Sequence, residues 1–330
     1  MMKTGKPPWN MLAKLLSILP TDDIDLIVGP SVGEDSAIIR VRDGFLVVHS
    51  NPITAASRKI GWLSIHIAAN DVAVRGVKPK WFLPVVLLPE NADYNLAETI
   101  FSDIAMALKE LGGVAVGGHT EVSPEIPRPI ISTTAIGYTT SRVVLTRNAR
   151  PGDSIAIMGR VGGEGVSVIA LDFEDLLLSK GIDKDLIEKA RSYINEISVV
   201  DKALSISRYV SSMHDPTEGG ILQGLREIAL ASNTEIEVDL DCIEVDPAVE
   251  TIAGALGLDP LRLLSSGALI ATIPASRIKD FVDIAEREKY SYSICGTVKH
   301  GVPGRVVIKR GSRVTEVVDK DIIDEIYKLW

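Results

Sequence analysis

Only two cysteines occur in the sequence, Cys242 and Cys295, far apart and without CxxC or Cys/His spacing. Neither a disulfide framework nor a zinc site is therefore expected. Cys295 falls in the apolar run Tyr292 to Val298, which reads as a strand, so core thiols are the expectation and nothing implies an oxidising compartment. No stretch approaches the roughly 20 uninterrupted apolar residues of a transmembrane helix. Trp9 to Leu19 comes nearest, but Lys14 interrupts it, Pro20 ends it and no small-residue cleavage site follows, so an amphipathic helix is expected rather than a signal sequence. Basic residues are in deficit, 35 Lys and Arg against 44 Asp and Glu, a formal net charge of -9. That balance argues against nucleic acid as a partner. A Ser/His/Asp order, a metalloprotease helix, a low-complexity tract and a short tandem repeat are missing too. What remains fits a cytoplasmic enzyme with no membrane association: 330 residues, 46% of them hydrophobic, hold core enough for two domains of ordinary size.

Strands and helices alternate along the chain. Ser36 to Val41 and Phe45 to His49 read as strands around the turn Asp43-Gly44, Arg58 to Arg75 as a helix, Lys80 to Leu88 as a strand and Leu96 to Leu111 as a helix ending at Gly112-Gly113. Val114 to Val116 and Ile130 to Tyr138 are further strands, with a loop over Ser123 to Arg128. The turn from Asn148 to Asp153 breaks the pattern, and Ser154 to Gly159 starts a fresh strand. The domains are accordingly expected at 1–149 and 150–330. In the second, a long helix is expected from Lys184 to Tyr209, a strand from Val210 to His214 and a helix from Ile221 to Ala231. Strands follow at Glu235 to Leu240, Ala268 to Ile273 and Tyr292 to Val298, with Ala275 to Glu288 helical.

Four polar, glycine-rich patches interrupt this frame: Gly33-Glu34-Asp35-Ser36-Ala37, Asn70 to Gly76 (NDVAVRG), Gly117-Gly118-His119-Thr120-Glu121, and His214 to Gly220 (HDPTEGG). Each sets acidic or hydroxyl side chains beside glycines whose backbone can approach a ligand closely, which suits a metal-bridged phosphate site. Asp35 and Asp71 are the strongest magnesium candidates; the structural alternatives are a turn acid and a helix-terminal acid. The loop Gly162-Gly163-Glu164-Gly165 follows a strand and opens a helix, a position at which backbone N–H groups favour an anion. Asp215 or Thr217 has the alternative role of capping the helix that starts near Gly219. His49 and His66 fall on apolar segments and read as core or interface histidines. Lys59, Arg75 and Lys78 flank the Asp71 helix and are either solvated or set to neutralise phosphates.

In that order the patches resemble a superfamily that contains aminoimidazole ribonucleotide (AIR) synthase, thiamine-monophosphate kinase, selenophosphate synthetase and the hydrogenase-maturation protein HypE, with HypE the nearest in look. Where the family carries GDDAA, a strand ending TTD, NDLAxMGAxP, GGDT and RDPTRGG, this sequence reads GEDSA, VVHSN, NDVAVRGVKP, GGHTEV and HDPTEGG. The resemblance implies an α+β fold of two AIR-synthase-like domains, the N-terminal sheets of two subunits joining in a dimeric β-barrel. It also implies ATP and Mg2+ as cofactors. Asp71, His119 and Asp215 would then be catalytic. Gly33, Asp35, Asn51, Gly117, Gly118, Thr120, Glu121, Gly162 and Gly163 would bind the nucleotide, and Asp35, Asp71 and Glu121 the metal.

Several positions depart from the pattern. Asn51 replaces an Asp and brings no negative charge, His119 replaces an Asp or Glu, and Ser265-Ser266-Gly267 stands where HypE-like chains have Ser-Glu-Gly. A histidine merely satisfied in a glycine turn is the alternative at position 119, and Glu121 is a candidate to supply the lost charge. HypE ends in a mobile tail with an acceptor cysteine, whereas here Ile322, Ile323, Ile326, Tyr327 and Trp330 make an apolar stripe that predicts a docked helix over 321–330. Two functions stand open. One is a HypE-like enzyme that uses ATP to activate a carbonyl, amide or phosphate oxygen on a small or protein-borne substrate. The other is a non-catalytic homologue that binds a nucleotide or a partner.

Overall fold

The computed structural model describes residues 9–31, 33–54 and 58–329. After α1 (Trp9–Leu16) come β1 (Leu26–Val28), β2 (Ala37–Val41), β3 (Gly44–Ile53), α2 (Ile60–Ala73), β4 (Pro79–Pro89), α3 (Tyr94–Leu111), β5 (Val114–Ala115), β6 (His119–Ser123) and β7 (Ile130–Thr139). The strands form one open sheet in the order β1-β2-β3-β7-β4-β5, with β6 also paired to β4. Period-two alternation gives this sheet two unlike faces. On β4, Phe82, Pro84, Val86 and Leu88 are buried under helices, while Leu83, Val85 and Leu87 between them are half-exposed. Leu46, Val48, Ile130 and Ile136 continue that half-exposed apolar face. Among the described residues there is no closed barrel; a barrel would need a second copy.

All of α2 is buried. A helix apolar on every side belongs in the middle of a protein, and α2 packs on the sheet, on α3 and on the second half of the chain. Its few polar side chains must then find partners inside, and Asn70 and Asp71 find theirs around the site.

The second half runs β8 (Ser154–Met158), α4 (Gly163–Asp172), α5 (Glu174–Ser179), α6 (Lys184–Ser192), α7 (Val200–Ile206), β9 (Ser212–His214), α8 (Gly220–Ala231), β10 (Glu235–Asp239), α9 (Pro247–Leu256), β11 (Leu269–Ile273), α10 (Ile278–Arg287), β12 (Tyr292–Lys299), β13 (Arg305–Arg310) and β14 (Arg313–Val318). Its strands form a second mixed sheet in the order β14-β13-β10-β12-β8-β11-β9.

Several expectations change here. The long helix expected to Tyr209 breaks into α6, a 3-10 turn over Tyr193–Glu196, and α7. The Asn70 side chain of α2 causes part of this: it donates to Ile197 O at 2.9 Å and accepts from Val199 N at 2.9 Å, diverting both from a helical ladder. Strand β6 is not expected from the sequence, which reads its start as part of a glycine turn, because its residues are exposed or half-exposed and show no alternation. Cys242 is exposed, not in the core, while Cys295 is buried and its thiol is pushed up to about 12, burial being the main cause. The tail forms no α-helix, only a 3-10 turn over Glu325–Leu329. It is docked nonetheless: Ile326 is fully buried, Ile323 is exposed, and Trp330 lies outside the described residues. Among the described residues no helix is long and apolar enough to cross a membrane.

Candidate functional site

Arg75 follows α2 and has no solvent-exposed side-chain surface. A buried guanidinium is tolerable only if paired and hydrogen-bonded, and here the partners come from both halves of the chain. Nη1 meets Glu34 at 2.9 Å, while Nη2 pairs with Asp35 and donates to Thr146 Oγ1 and the Met213 carbonyl, each at 2.9 Å. On the other side of Asp35 stands His214, its Nδ1 2.7 Å from Oδ1, and the opposite ring nitrogen lies 2.7 Å from Glu227 on α8. Burial opposes charge on this imidazole, but Asp35 and Glu227 outweigh it and push its pKa up to about 10. Burial likewise would raise the Asp35 carboxyl, and His214 and Arg75 reverse that and hold it below the usual value. Asp35 therefore has no oxygen without a cationic partner. It is neither a turn acid nor an open metal ligand but part of an ionic clamp between the two halves.

Asp71 sits near the C-terminal end of α2, where the helix dipole disfavours a negative charge. His49 Nε2 lies 3.1 Å from its Oδ2, and the Asn51 amide donates to the same oxygen at 3.4 Å. His49 and Asn51 are two apart on β3, so they project from the same face and reach Asp71 together. His49 is thus a partner of the site, whereas His66 pairs with Glu110 at 3.0 Å away from it.

Across from Asp71 stands Asp215, just after β9. It is almost completely buried, and neither oxygen has a donor in bonding geometry. Burial first, then the charges of Asp71, Glu164 and Asp35, raise its carboxyl well above the ordinary value, and the Asn70 amide offsets only part of that. Glu164, buried at the start of α4, accepts from Ser266 N at 3.0 Å, yet burial still lifts it to about 7. Lys202 on α7 is held below its usual value by burial, opposed by Asp215 and Glu196, and donates to the Gly267 carbonyl at 2.6 Å. Crowded carboxylates with so little compensation are a site prepared for positive charge. Among the described residues, however, no group of three or more His, Cys, Asp or Glu side chains stands ready-made to hold a metal.

The remaining expected residues lie elsewhere. His119 and Glu121 on β6 are exposed and face each other at 3.0 Å. Register explains why they do not join Asp71. Thr133 of β7 pairs with both Asn51 and Pro84, and Val85 pairs with His119, so His119 and Glu121 emerge on the face opposite Asn51, with Thr120 on the same face as Asn51. Within one chain the proposed Asp35, Asp71 and Glu121 metal set does not assemble. Gly117 is exposed, and a Cβ at Gly118 would fall 2.2 Å from Pro84 O, so that glycine serves the contact with β4. The Gly162-Gly163 loop opens α4 but holds out no donors: Gly162 N donates to Ser265 Oγ and Gly163 N to Arg160 O. Gly33, at φ +85°, would place a Cβ 2.9 Å from Glu227 O, so it lets α8 close on the clamp rather than cradling phosphate. Asp215 does not cap the helix at Gly219, and the Thr217 carbonyl accepts from Gly220 N at 3.0 Å. Asp324 from the tail accepts Gly219 N at 2.7 Å, and burial raises its carboxyl to about 7.

Two α+β halves joined by a buried ionic clamp, with an under-compensated acidic group between them, define the class of the protein. The chain belongs to the AIR synthase related protein family, whose N-terminal domain matches residues 33–139 and whose C-terminal domain matches residues 150–309. Within it the chain is HypE-like, as its motifs indicate. It is 30% identical over 241 residues to a putative hydrogenase expression/formation protein of Methanocaldococcus jannaschii, covering 72% of this chain and 68% of that one. It is 29% identical over 243 residues to the carbamoyl dehydratase HypE of Rhizobium leguminosarum bv. viciae, covering 72% and 65%. The chain thus spans about two thirds of those relatives' length. Similarity to the thiamine-monophosphate kinase of Pyrococcus horikoshii is 29% over 298 residues, covering 86% and 87%. Among solved structures, HypE in a HypE–HypF complex shares the fold with a TM-score of 0.73 at 23% identity over 87% of this chain and 93% of that one. HypE in complex with ATP does so with a TM-score of 0.66 at 23% identity over 94% and 91%.

Proposed function

We propose that this chain is an ATP-dependent enzyme that activates a carbonyl, amide or phosphate oxygen on a small or protein-borne substrate by phosphoryl transfer. The observation that carries the reading is Asp215, a buried carboxylate without a donor, beside Asp71 and Glu164. Such a group is costly unless something positive arrives. The donor set fits magnesium in its usual form, one or two carboxylates with the remaining positions left to water and phosphate. Asp71 and Asp215 would hold the cation, which would neutralise charge on the nucleotide phosphates. The relatives named a dehydratase and a kinase, and the solved complex with ATP, support nucleotide use.

Each residue then has a task. The clamp of Arg75, Asp35, His214 and Glu227 fixes the two halves so that Asp215 faces Asp71 without swinging away. Asp215, its carboxyl raised well above the ordinary value by burial and by the charges of Asp71, Glu164 and Asp35, is eased into its charged form as positive charge arrives. Lys202, partly stripped of its solvation, is positioned to meet negative charge developing near Asp215. His119 and Glu121 reach such a site only from the outer face, as they would if a second copy closed on the half-exposed sheet face. A homodimer through that face, a division at residues 149/150 and a cytoplasmic setting belong to the same reading.

Calorimetric titration with ATP, with and without magnesium, in two buffers of different ionisation enthalpy, tests it alongside turnover of ATP. Magnesium-dependent binding with proton release and slow turnover is expected. Binding without turnover, even with substrate-like carbamoyl or phosphate compounds, would favour the non-catalytic homologue. Absence of binding would remove the site.

A further inference from the structure

A chain of net charge -9 places four guanidinium groups around one cavity of about 360 Å³. Arg142, Asn148 and Arg150 come from the segment joining β7 to β8, Arg208 and Ser211 from the stretch between α7 and β9, and Arg277 from the turn after β11. Arg142 is held in place by donating to the Val210 carbonyl at 3.0 Å and, more weakly, to that of Ser211 at 3.5 Å. Arg277 pairs with Asp280 at 3.0 Å. Arg142, Arg150 and Arg208 form no ion pair among the described residues, and no lining residue is acidic. Asp153, the nearest acid in sequence to Arg150, accepts from its backbone N–H at 3.0 Å.

Grouping like charges without acids between them raises their mutual repulsion, which an anion in the middle relieves. Guanidinium forks match phosphate oxygens in pairs, and the Asn148 and Ser211 side chains add neutral donors of the kind that fix orientation. One of the four positive charges is met by Asp280. A single phosphate at about -1.5 to -2 leaves part of the remainder unmet, and a diphosphate covers it. The cavity is within the usual range for small-molecule sites, roughly 300 to 1,000 Å³. It shares no lining residue with the Asp71 and Asp215 group. Ser211 and Asp215 stand at opposite ends of β9, roughly 13 Å apart at about 3.3 Å per residue.

We propose that this arginine-lined cavity is a second anion site, separate from the acidic cleft, that takes a small molecule carrying a diphosphate. The probe is inorganic pyrophosphate, titrated calorimetrically at low ionic strength without magnesium, so that the acidic cleft repels it. Saturable binding weakened by added salt is expected, with inorganic phosphate at least tenfold weaker. Arg150→Ala with Arg208→Ala should lower pyrophosphate affinity at least tenfold without shifting the melting temperature. The paired Lys substitutions, which keep charge but lose the fork, should fall between and serve if the Ala pair fails to fold. Asp215→Asn should leave binding intact. No saturable binding, equal affinity for phosphate, undiminished binding in both paired variants, or its loss in Asp215→Asn would each overturn the proposal.

Discussion

His214 Nδ1 lies 2.7 Å from Asp35 Oδ1, so a ring on the second sheet and a carboxylate beside the first meet in the interior of the protein. Neither group would be stable there alone. With Arg75 on the far side of Asp35 and Glu227 on the far side of His214, alternating charges run from one half to the other. What joins the halves is thus also what aims Asp215, the next residue after His214.

The clamp makes stability depend on pH. His214 is raised from 6.5 to about 10, so its contribution is full below pH 6.5 and is lost as pH rises through about 10. Asp35 is depressed, so its contribution is present above the ordinary carboxyl value and is lost in acid as pH falls through its folded value. Denaturant unfolding should therefore show stability falling between pH 7 and pH 10. In His214→Asn that fall should be largely gone, with a loss of about 3 to 5 kcal/mol at pH 6 from the broken buried pair. A variant as pH-dependent as the parent would show that the slope comes from other groups.

Asp215→Asn should separate stability from function. Removing an under-compensated buried charge should stabilise the protein at pH 8 by about 1 to 3 kcal/mol, while ATP turnover should drop by at least about a hundredfold. Melting temperature and turnover measured on the same preparation decide it. A destabilised variant with normal turnover would assign Asp215 a purely structural role.

At Asn51 the amide hydrogen bond to Asp71 becomes a clash of carboxylates in Asn51→Asp. Without magnesium this variant should be less stable by about 1 to 2 kcal/mol, and with magnesium it should bind ATP several-fold more tightly because a charged ligand is restored. Unchanged affinity with magnesium would count against the placing of the cation beside Asp71.

Val85 and Leu87 belong to the half-exposed sheet face, where a charge would oppose burial against a second copy. Light scattering should find a dimer at micromolar concentration and a monomer for Val85→Glu with Leu87→Glu. A monomer in both cases would end the dimeric barrel.

Asp324→Ala should cost about 1 to 2 kcal/mol of stability, since Gly219 N loses its buried acceptor. Turnover of ATP should survive at temperatures where the fold does. Loss of turnover in a fully folded variant would bring the tail into the chemistry.

Much of the frame was legible in the sequence. Strand and helix periods are local consequences of side-chain burial, so the core strands β2, β3, β4, β7, β8 and β12 and the helices α2, α3, α8 and α10 appear in the pattern within a few residues. The order of the glycine-rich patches identified the family, and Asp71 could be singled out because an acid that interrupts an apolar helix is costly without a partner, whereas Asp215 stood out only through the resemblance of its motif. The exposed edge strand β6 could not be read, since a strand without a buried face leaves no alternation. β14 was missed likewise, and β13 was missed although it alternates, with Val306 and Ile308 buried.

Only the tertiary structure decided what each polar residue meets. Arg75 read as a basic flank of the Asp71 helix, yet it is the most deeply buried cation of the site because Glu34, Asp35, Thr146 and Met213 converge on it from distant parts of the chain. His49 and Glu227 carried no signal that separated them from core or surface residues of the same type. The parity of β4 and β6 sent His119 and Glu121 to the far face, a consequence of register that no local pattern contains. Side-chain period is local and can be read along the chain, whereas charge compensation depends on which segments lie across from one another, and that is set only when both sheets and α2 have packed.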